Sequence, residues 1–380
     1  MDTLEQLFAE GRDAAVRRAQ TEFDRLSGPL GSRIVLCGAG GLGRRTLAGL
    51  RKAGIEPIAF CDGNAKLWGN TVEGVPVYSA EEGAKTFGDN AVFVFTMWKS
   101  TPADKLSDRI ERYRALGCRV VLPLGSLYWK FSETLLPYFP ADLPQYVHDE
   151  ASQVLAADKL WADDRSRAEY LAQVRWRLFM DFDMGDREAQ PIYFPKDIYK
   201  LRSDEVFVDC GAYDGDSVQA FLSETGGKFG AIYAFEPDPT NFARLNDSVK
   251  PIADSGRVFT YQACVGREKG IVKFSSFGND NSVTGVGDTT LPCIALDDVL
   301  GGEAVSLVKM DIEGYEPEAI AGLEKTIKRC RPKLAISAYH IQNHLWRIPL
   351  QINAIASDYR FYLRAHERDF FDMICYAVPA

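Results

Sequence analysis

The sequence predicts an α/β protein with two parallel sheets joined by a helical connector. Three observations carry that reading. The run IVLCGAGGLGRRTLAGLRKAG is an apolar strand, a glycine turn and a helix, and IAFCD after it is a second strand ending in Asp62. VFVDCGAYDGDS repeats the step later in the chain, and IYAFEPD after it ends in Glu236. Between them lies a stretch of different character, rich in aromatic side chains interleaved with charges and punctuated by prolines 137, 140, 144, 191 and 195. These changes divide the chain into residues 1–125, 126–203 and 204–380.

The bulk composition sets outer limits. With 380 residues there is enough chain for two domains and a linking element, and 46% apolar against 26% charged residues is ordinary for a globular protein. A net charge of −9 argues against binding a nucleic-acid backbone, which needs a basic face. The first 20 residues, MDTLEQLFAEGRDAAVRRAQ, are charged and amphipathic and read as neither a signal peptide nor an anchor. The longest apolar run, Ala91 to Trp98, is too short to span a bilayer. Eight scattered cysteines without a CxxC pair read as small buried hydrophobes in a reducing compartment, which points to the cytoplasm.

Residues 3–26 have helical periodicity and close at Gly28-Pro29. In the first sheet, Gly38, Gly40 and Gly43 form GxGxxG with Asp62 as the distal acid, the pattern of a nucleotide site at a helix N-terminus. VPVYS, AVFVFT, a helix over 102–116 and RVVLPLG complete that sheet. Its other reading is a scaffold in which the glycines only allow close helix packing. The connector from 126 to 203 reads as helices whose aromatic stripes are core or interface.

In the last part, Asp216 or Ser217 caps a helix that ends at Gly226, and Asn241 to Val249 forms the helix after Glu236. RVFTYQACVG is a third strand, and IVKFSSFG with TTLPCIAL is a hairpin insertion around the polar loop GNDNSVTGVGD. VSLVKMDIEGYEPEAI is a strand to Asp311, a turn at Gly314 and a helix stopped at Arg331-Pro332. KLAISAYH is a fifth strand to His340, and YRFYLRAH and DMICYAVP are final strands joined by a turn at Glu367 to Phe370. Ligands of open parallel sheets sit outside the carboxyl ends of the strands, where Asp209, Glu236, Cys264, Asp311, His340 and His366 fall. A glycine loop with a matched acid, Glu236, suits a nucleoside cofactor whose ribose hydroxyls a carboxylate accepts.

Gly211 and Gly215 are spaced GxxxG with Asp209 two residues before, which resembles the D/ExGxxxG signature of class I S-adenosylmethionine methyltransferases. VFVDCGAYDGDS, FEPDP, VKMDIEGYEPEAI and SAYH together resemble the FkbM family of such methyltransferases, with its D-x-E-G-x-E phrase met by Asp311, Glu313, Gly314 and Glu316. The resemblance covers 204–379 and implies a class I methyltransferase sheet with an antiparallel last strand. The first 200 residues are similar to members with an extra Rossmann-like domain, and Ile58 to Glu82 resembles the sugar-nucleotide domain of acyltransferases acting on UDP-amino-sugars.

The resemblance implies S-adenosylmethionine as cofactor and a hydroxyl acceptor on a sugar, glycan precursor or natural product, including a nucleotide-linked sugar. Asp209, Gly211, Tyr213 and Gly215 would line its methionine and ribose, Glu236 would hold the ribose hydroxyls, Cys264 would lie near the adenine, and Asp311 would border the site. For the acceptor's proton, His340 is the expected base, with Asp311 and Glu313 beside it. No metal is assigned, although Asp311 and Glu313 with His340 as third ligand are the alternative that a divalent cation would use. Two other functions stay open: an NAD-dependent sugar-nucleotide oxidoreductase or epimerase, weakened because no tyrosine has a lysine four residues on, and a non-catalytic nucleotide-binding protein.

Overall fold

A computed structural model of the chain describes residues 3–97, 105–180, 191–275, 283–284, 289–366 and 371–380. The described residues group into two units, 3–151 with 171–180, and 152–170 with the rest from 191 onward. The expected helices of the stretch 126–203 are found between 125 and 179, but they do not stand as a separate connector. The residues of that stretch are divided between the units because its aromatic side chains are core: Tyr128 and Trp129 are buried in the first, Trp161 and Tyr170 in the second.

In the first unit, the expected leading helix is two, Leu4–Phe8 and Arg12–Ser27, separated at Gly11, which has φ 75°. The sheet is built from β1 (Ile34–Cys37), β2 (Ala59–Cys61), β3 (Thr71–Val72), β4 (Val75–Tyr78), β5 (Val92–Phe95) and β6 (Val120–Pro123). Their order is β3-β4-β2-β1-β5-β6, parallel except for β3. Every residue of β1 and β5 is buried, as befits central strands covered on both faces. The expected helix over 102–116 is described as Leu106–Ala115, its first residues lying outside the described part.

The second unit holds β7 (Val206–Cys210), β8 (Ala231–Phe235), β9 (Val258–Tyr261), β10 (Cys264–Val265), β11 (Gly270–Ser275), β12 (Val283–Thr284), β13 (Thr289–Ile294), β14 (Leu307–Met310), β15 (Lys333–Ser337), β16 (Tyr359–Ala365) and β17 (Met373–Pro379). Seven of them form one sheet in the order β16-β17-β15-β14-β7-β8-β9, with β17 antiparallel to both neighbours and all other pairs parallel. This is the α/β sheet with a reversed strand near one edge that the sequence predicts. Phe221, on the helix Asp216–Thr225, stacks on Phe207 of β7 with ring centroids 4.7 Å apart, fixing that helix against the sheet.

Two local expectations change. Cys264 is not at the end of the third strand: β9 stops at Tyr261, and Cys264 pairs with Cys293 in a separate sheet of order β10-β13-β11-β12. The chain leaves the large sheet there because β8 offers partners only as far as Phe235, opposite Tyr261. The helix after the glycine turn begins behind Gly215 with φ 91°, with no side-chain cap, and Asp216 accepts instead from the neighbouring Ser217 N–H at 2.6 Å. Most of the polar loop expected at 278–288, and the turn at 367–370, lie outside the described residues.

Candidate active site

The site is assembled where β7, β8, β14 and β15 end. At the first of these, Gly211 has φ 78°, and a Cβ there would lie 1.9 Å from the Asp311 carbonyl oxygen. Only glycine lets the turns after β7 and β14 approach so closely. Lys309 of β14 underlies this contact. Its Nζ donates to the Gly211 carbonyl and lies 3.0 Å from Asp209 Oδ1, and both side chains are almost wholly withdrawn from solvent. Asp209 also accepts from the Ser217 hydroxyl. Burial works against the Lys309 charge, yet Asp209, Asp311 and Asp216 keep its ammonium proton held more tightly than usual.

Asp209 is therefore fully enclosed. Its role is to hold Lys309, and through Lys309 the Gly211 turn. Gly215 is likewise a packing position, since a Cβ there would meet Ser248 Oγ at 2.7 Å. Tyr213 takes the left-handed φ of 48° and turns its backbone N–H onto Glu236 Oε2 at 2.9 Å. Glu236 Oε1 accepts from the Asp238 N–H, also at 2.9 Å. Burial pushes the Glu236 carboxyl up to about 7, against the opposing pull of those two backbone donors. A buried acid held at the strand end by two N–H groups keeps its remaining lone pairs in a fixed direction, which suits a pair of vicinal hydroxyls.

Asp311, Glu313 and His340 come together as the sequence suggests, and Glu316 joins them. His340 Nε2 lies 3.2 Å from Asp311 Oδ1 and 3.7 Å from Glu313 Oε1, while Nδ1 lies 2.7 Å from Glu316 Oε1. Glu316 is buried, accepts from the Ile312 N–H at 3.0 Å, and turns its other oxygen toward His344 Nδ1 at 3.2 Å. A carboxylate only accepts, so Nδ1 carries a proton. Burial would lower the His340 pKa, but Glu316, then Glu313, and the hydrogen bonds to Asp311 and Glu316 hold it well above the ordinary histidine range. His340 therefore has Glu316 on its Nδ1 side and Asp311 and Glu313 on its Nε2 side.

Burial pushes Asp311 up, but the hydrogen bond and charge of His340, with Lys309 and Tyr193, hold it well below the usual carboxylate range. The Tyr193 hydroxyl donates to Asp311 Oδ2 at 2.5 Å and the Tyr339 hydroxyl to Oδ1 at 3.3 Å. Lys309, Tyr193 and Tyr339 escaped the sequence reading. A lysine inside the apolar run VSLVKMD was the one signal for Lys309; Tyr193 arrives from more than a hundred residues away and carries none. His366, another strand-end histidine, is 2.7 Å from the Tyr376 hydroxyl instead of joining the cluster.

In the first unit, Gly43 faces Gly38, whose carbonyl oxygen a Cβ would meet at 1.9 Å, and Gly38 has φ 111° with Met97 packed on it. Both have packing reasons. Gly40 has open space around it and precedes the helix Gly41–Lys52. Asp62 braces the turn, accepting from Ala39 and Asn64 N–H groups at 2.7 Å each.

Residues 209–370 match the family model of the Methyltransferase FkbM domain. A solved methyltransferase FkbM from Methylobacillus flagellatus KT is 23% identical, with 99% of this chain and 99% of that chain covered at a TM-score of 0.82, so the fold is shared over both units. Partial matches include fibrillarin from Aeropyrum pernix in complex with natively bound S-adenosyl-L-methionine, at 12% identity over 48% of this chain and 71% of that one, TM-score 0.30. Another is precorrin-6y C5,15-methyltransferase from Geobacter metallireducens GS-15, at 14% identity over 47% and 82%, TM-score 0.31. No curated protein matches the sequence. No helix among the described residues is long and apolar enough to cross a membrane. With the family match falling on the unit that carries the strand-end cluster, the protein is a methyltransferase whose residues 209–370 match the Methyltransferase FkbM domain.

Proposed function

We propose that this methyltransferase moves a methyl group from S-adenosylmethionine to a hydroxyl oxygen of a small molecule, a sugar, glycan precursor or related natural product. The carrying observation is Glu236, a buried carboxylate oriented by Tyr213 and Asp238 N–H groups beside the Gly211 turn. These residues fit the cofactor: Glu236 accepts the ribose hydroxyls, and the backbone from Gly211 to Tyr213 lies against the methionine end. Cys264, in its separate sheet, is a poorer candidate for the adenine than the end of β9. When bound, the sulfonium supplies an electrophilic methyl carbon.

What remains for the chain is alignment, since in-line displacement is accelerated chiefly by holding nucleophile, carbon and leaving group in register. The acceptor hydroxyl lies against Asp311, Glu313 and His340, the last fixed by Glu316, and its proton leaves to water as the new C–O bond forms. In the first unit, the open space at Gly40 before a helix N-terminus supports a nucleotide or nucleotide-linked sugar bound by Gly38, Gly40, Gly43 and Asp62. The free cysteines among the described residues support a reducing, cytoplasmic setting.

The test is to incubate the full chain with mass-labelled S-adenosylmethionine and a panel of sugars, nucleotide sugars and hydroxy acids. Label on an acceptor oxygen is the expected outcome. Transfer only to nitrogen or carbon acceptors would overturn the hydroxyl reading. A parallel thermal-shift panel of UDP-, GDP- and dTDP-sugars, NAD and NADP reads the first unit, where stabilisation by none favours a scaffold and by NAD alone an oxidoreductase.

A further inference from the structure

The Asp311, Glu313, Glu316 and His340 cluster sets three carboxylates around one imidazole. The carboxylates outnumber the one imidazole between them in a part-buried space, with His344 beside Glu316 on its far side. Lys309 lies closest to Asp209, at 3.0 Å, and its charge is shared between that carboxylate and Asp311. Asp311, Glu316 and His340 each offer a ligand atom within 4.8 Å of the others. Geometry separates their roles. Glu316 Oε1 is taken by His340 Nδ1 and by the Ile312 and Gly314 N–H groups, whereas Nε2 faces Asp311 Oδ1 at 3.2 Å and Glu313 Oε1 at 3.7 Å.

A divalent cation with bonds of roughly 2.1 Å sets adjacent ligand atoms roughly 3.0 to 3.4 Å apart in octahedral or tetrahedral arrangements. The Nε2–Asp311 separation of 3.2 Å already fits, and that to Glu313, 3.7 Å, needs a shift of a few tenths of an ångström. Asp311 Oδ2 is meanwhile fixed by Tyr193, which leaves Oδ1 turned toward Nε2. A carboxylate behind the distal nitrogen of a ligating histidine is the usual support of a metal site.

We infer that Asp311, Glu313 and His340 bind a divalent cation, with Glu316 positioning His340, and that the acceptor chelates this cation through two oxygens on adjacent carbons. The inference rests on the hydroxyl-methylation reading and gives it a substrate class, a vicinal diol or an α-hydroxy acid. Three protein ligands leave neighbouring coordination positions open. The acceptor hydroxyl bound at one of them loses its proton to water. The resulting oxygen forms the new C–O bond as the C–S bond breaks, the sulfonium becoming a neutral thioether and the ether oxygen staying on the acceptor.

Mn²⁺ titration of the full chain, followed by electron paramagnetic resonance, tests the cation without any turnover. The wild type should bind one Mn²⁺ in the micromolar range, and Glu313→Gln should weaken it at least tenfold. Glu316→Gln, which keeps the shape of the side chain and leaves all three ligands, should weaken it about 10- to 100-fold. Glu236→Ala should leave Mn²⁺ binding intact while losing S-adenosylmethionine, so failure of the cofactor reading stays distinguishable. Water-proton relaxation of the Mn²⁺-loaded chain should fall on adding glycolate or a cis-1,2-diol and not on adding 2-propanol. Absence of Mn²⁺ binding at millimolar concentration overturns the site, as does equal binding in the wild type and Glu313→Gln. Equal relaxation changes with glycolate and 2-propanol overturn the chelating acceptor.

Discussion

Replacing Lys309 with methionine removes a buried cation while keeping most of the volume of its stem. In the native chain Nζ is 3.0 Å from Asp209 Oδ1, donates to the Gly211 carbonyl, and reaches the Cys210 carbonyl at 3.4 Å. Lys309→Met leaves the Asp209 carboxylate enclosed with, among the described residues, only the Ser217 hydroxyl as a side-chain donor. Breaking a buried pair by deleting one partner costs about 3 to 5 kcal/mol, since an uncompensated charge stays behind. In a domain of this size that is roughly 6 to 20 °C of melting temperature. Differential scanning calorimetry, in which the two units can melt separately, is the assay. The double variant Lys309→Met/Asp209→Asn should recover a good part of the loss, because the stranded charge is gone. A drop below about 1 kcal/mol in the single variant, or strict additivity in the double, would refute the view that this pair holds the glycine turn.

Other outcomes follow from the same geometry. Gly211→Ala puts a Cβ 1.9 Å from the Asp311 carbonyl oxygen at φ 78°, and should cost about 3 kcal/mol or more of stability, whereas Gly40→Ala, in open space, should stay within about 1 kcal/mol; thermal melts compare them. Glu236 has a folded pKa raised to about 7 and must be ionised to accept two hydroxyls, so affinity for S-adenosylhomocysteine should fall about tenfold per pH unit below pH 7, level off above it, and show proton release in buffers of different ionisation enthalpy. Asp163 resists burial through Arg364 and Ser166, which bring its carboxyl down to about 2. That folded value lies below the unfolded one, so its stabilisation is present above about pH 4 and lost as pH falls toward 2. After allowance for its exposure, Arg364→Leu should be less stable by about 1 to 2 kcal/mol at pH 7, with the difference narrowing below pH 4 in acid titrations followed by circular dichroism.

The strand ends were legible because a short apolar run stopped by an acid or a glycine is a local signal. Asp209, Glu236, Asp311 and His340 were found on that ground, and all four lie where strands of the large sheet end. Their division of labour was not local. The pairing of Asp209 with Lys309 could not be read locally, because which way a lysine in a buried strand points depends on the neighbouring strand. Glu316 reads as an ordinary acid in a first helical turn, and becomes the partner of two histidines only when the turn after β14 meets the loop after β15. Cys264 was misplaced because an apolar run carries no mark of which sheet it joins. The change of character after residue 125 was legible from aromatics interleaved with charges, whereas the division of that stretch between two cores depends on long-range packing of Tyr128, Trp129, Trp161 and Tyr170.

Calorimetric titration of the full chain with S-adenosylmethionine, wild type against Glu236→Ala, tests the central claim most directly. The account expects one site per chain in the wild type and, in a variant whose melting profile shows it folded, affinity weaker by at least about tenfold, the loss of a hydrogen bond to a charged acceptor worth roughly 1.5 to 3 kcal/mol. Equal affinity in the two proteins, or no binding to the wild type at millimolar cofactor, would contradict it.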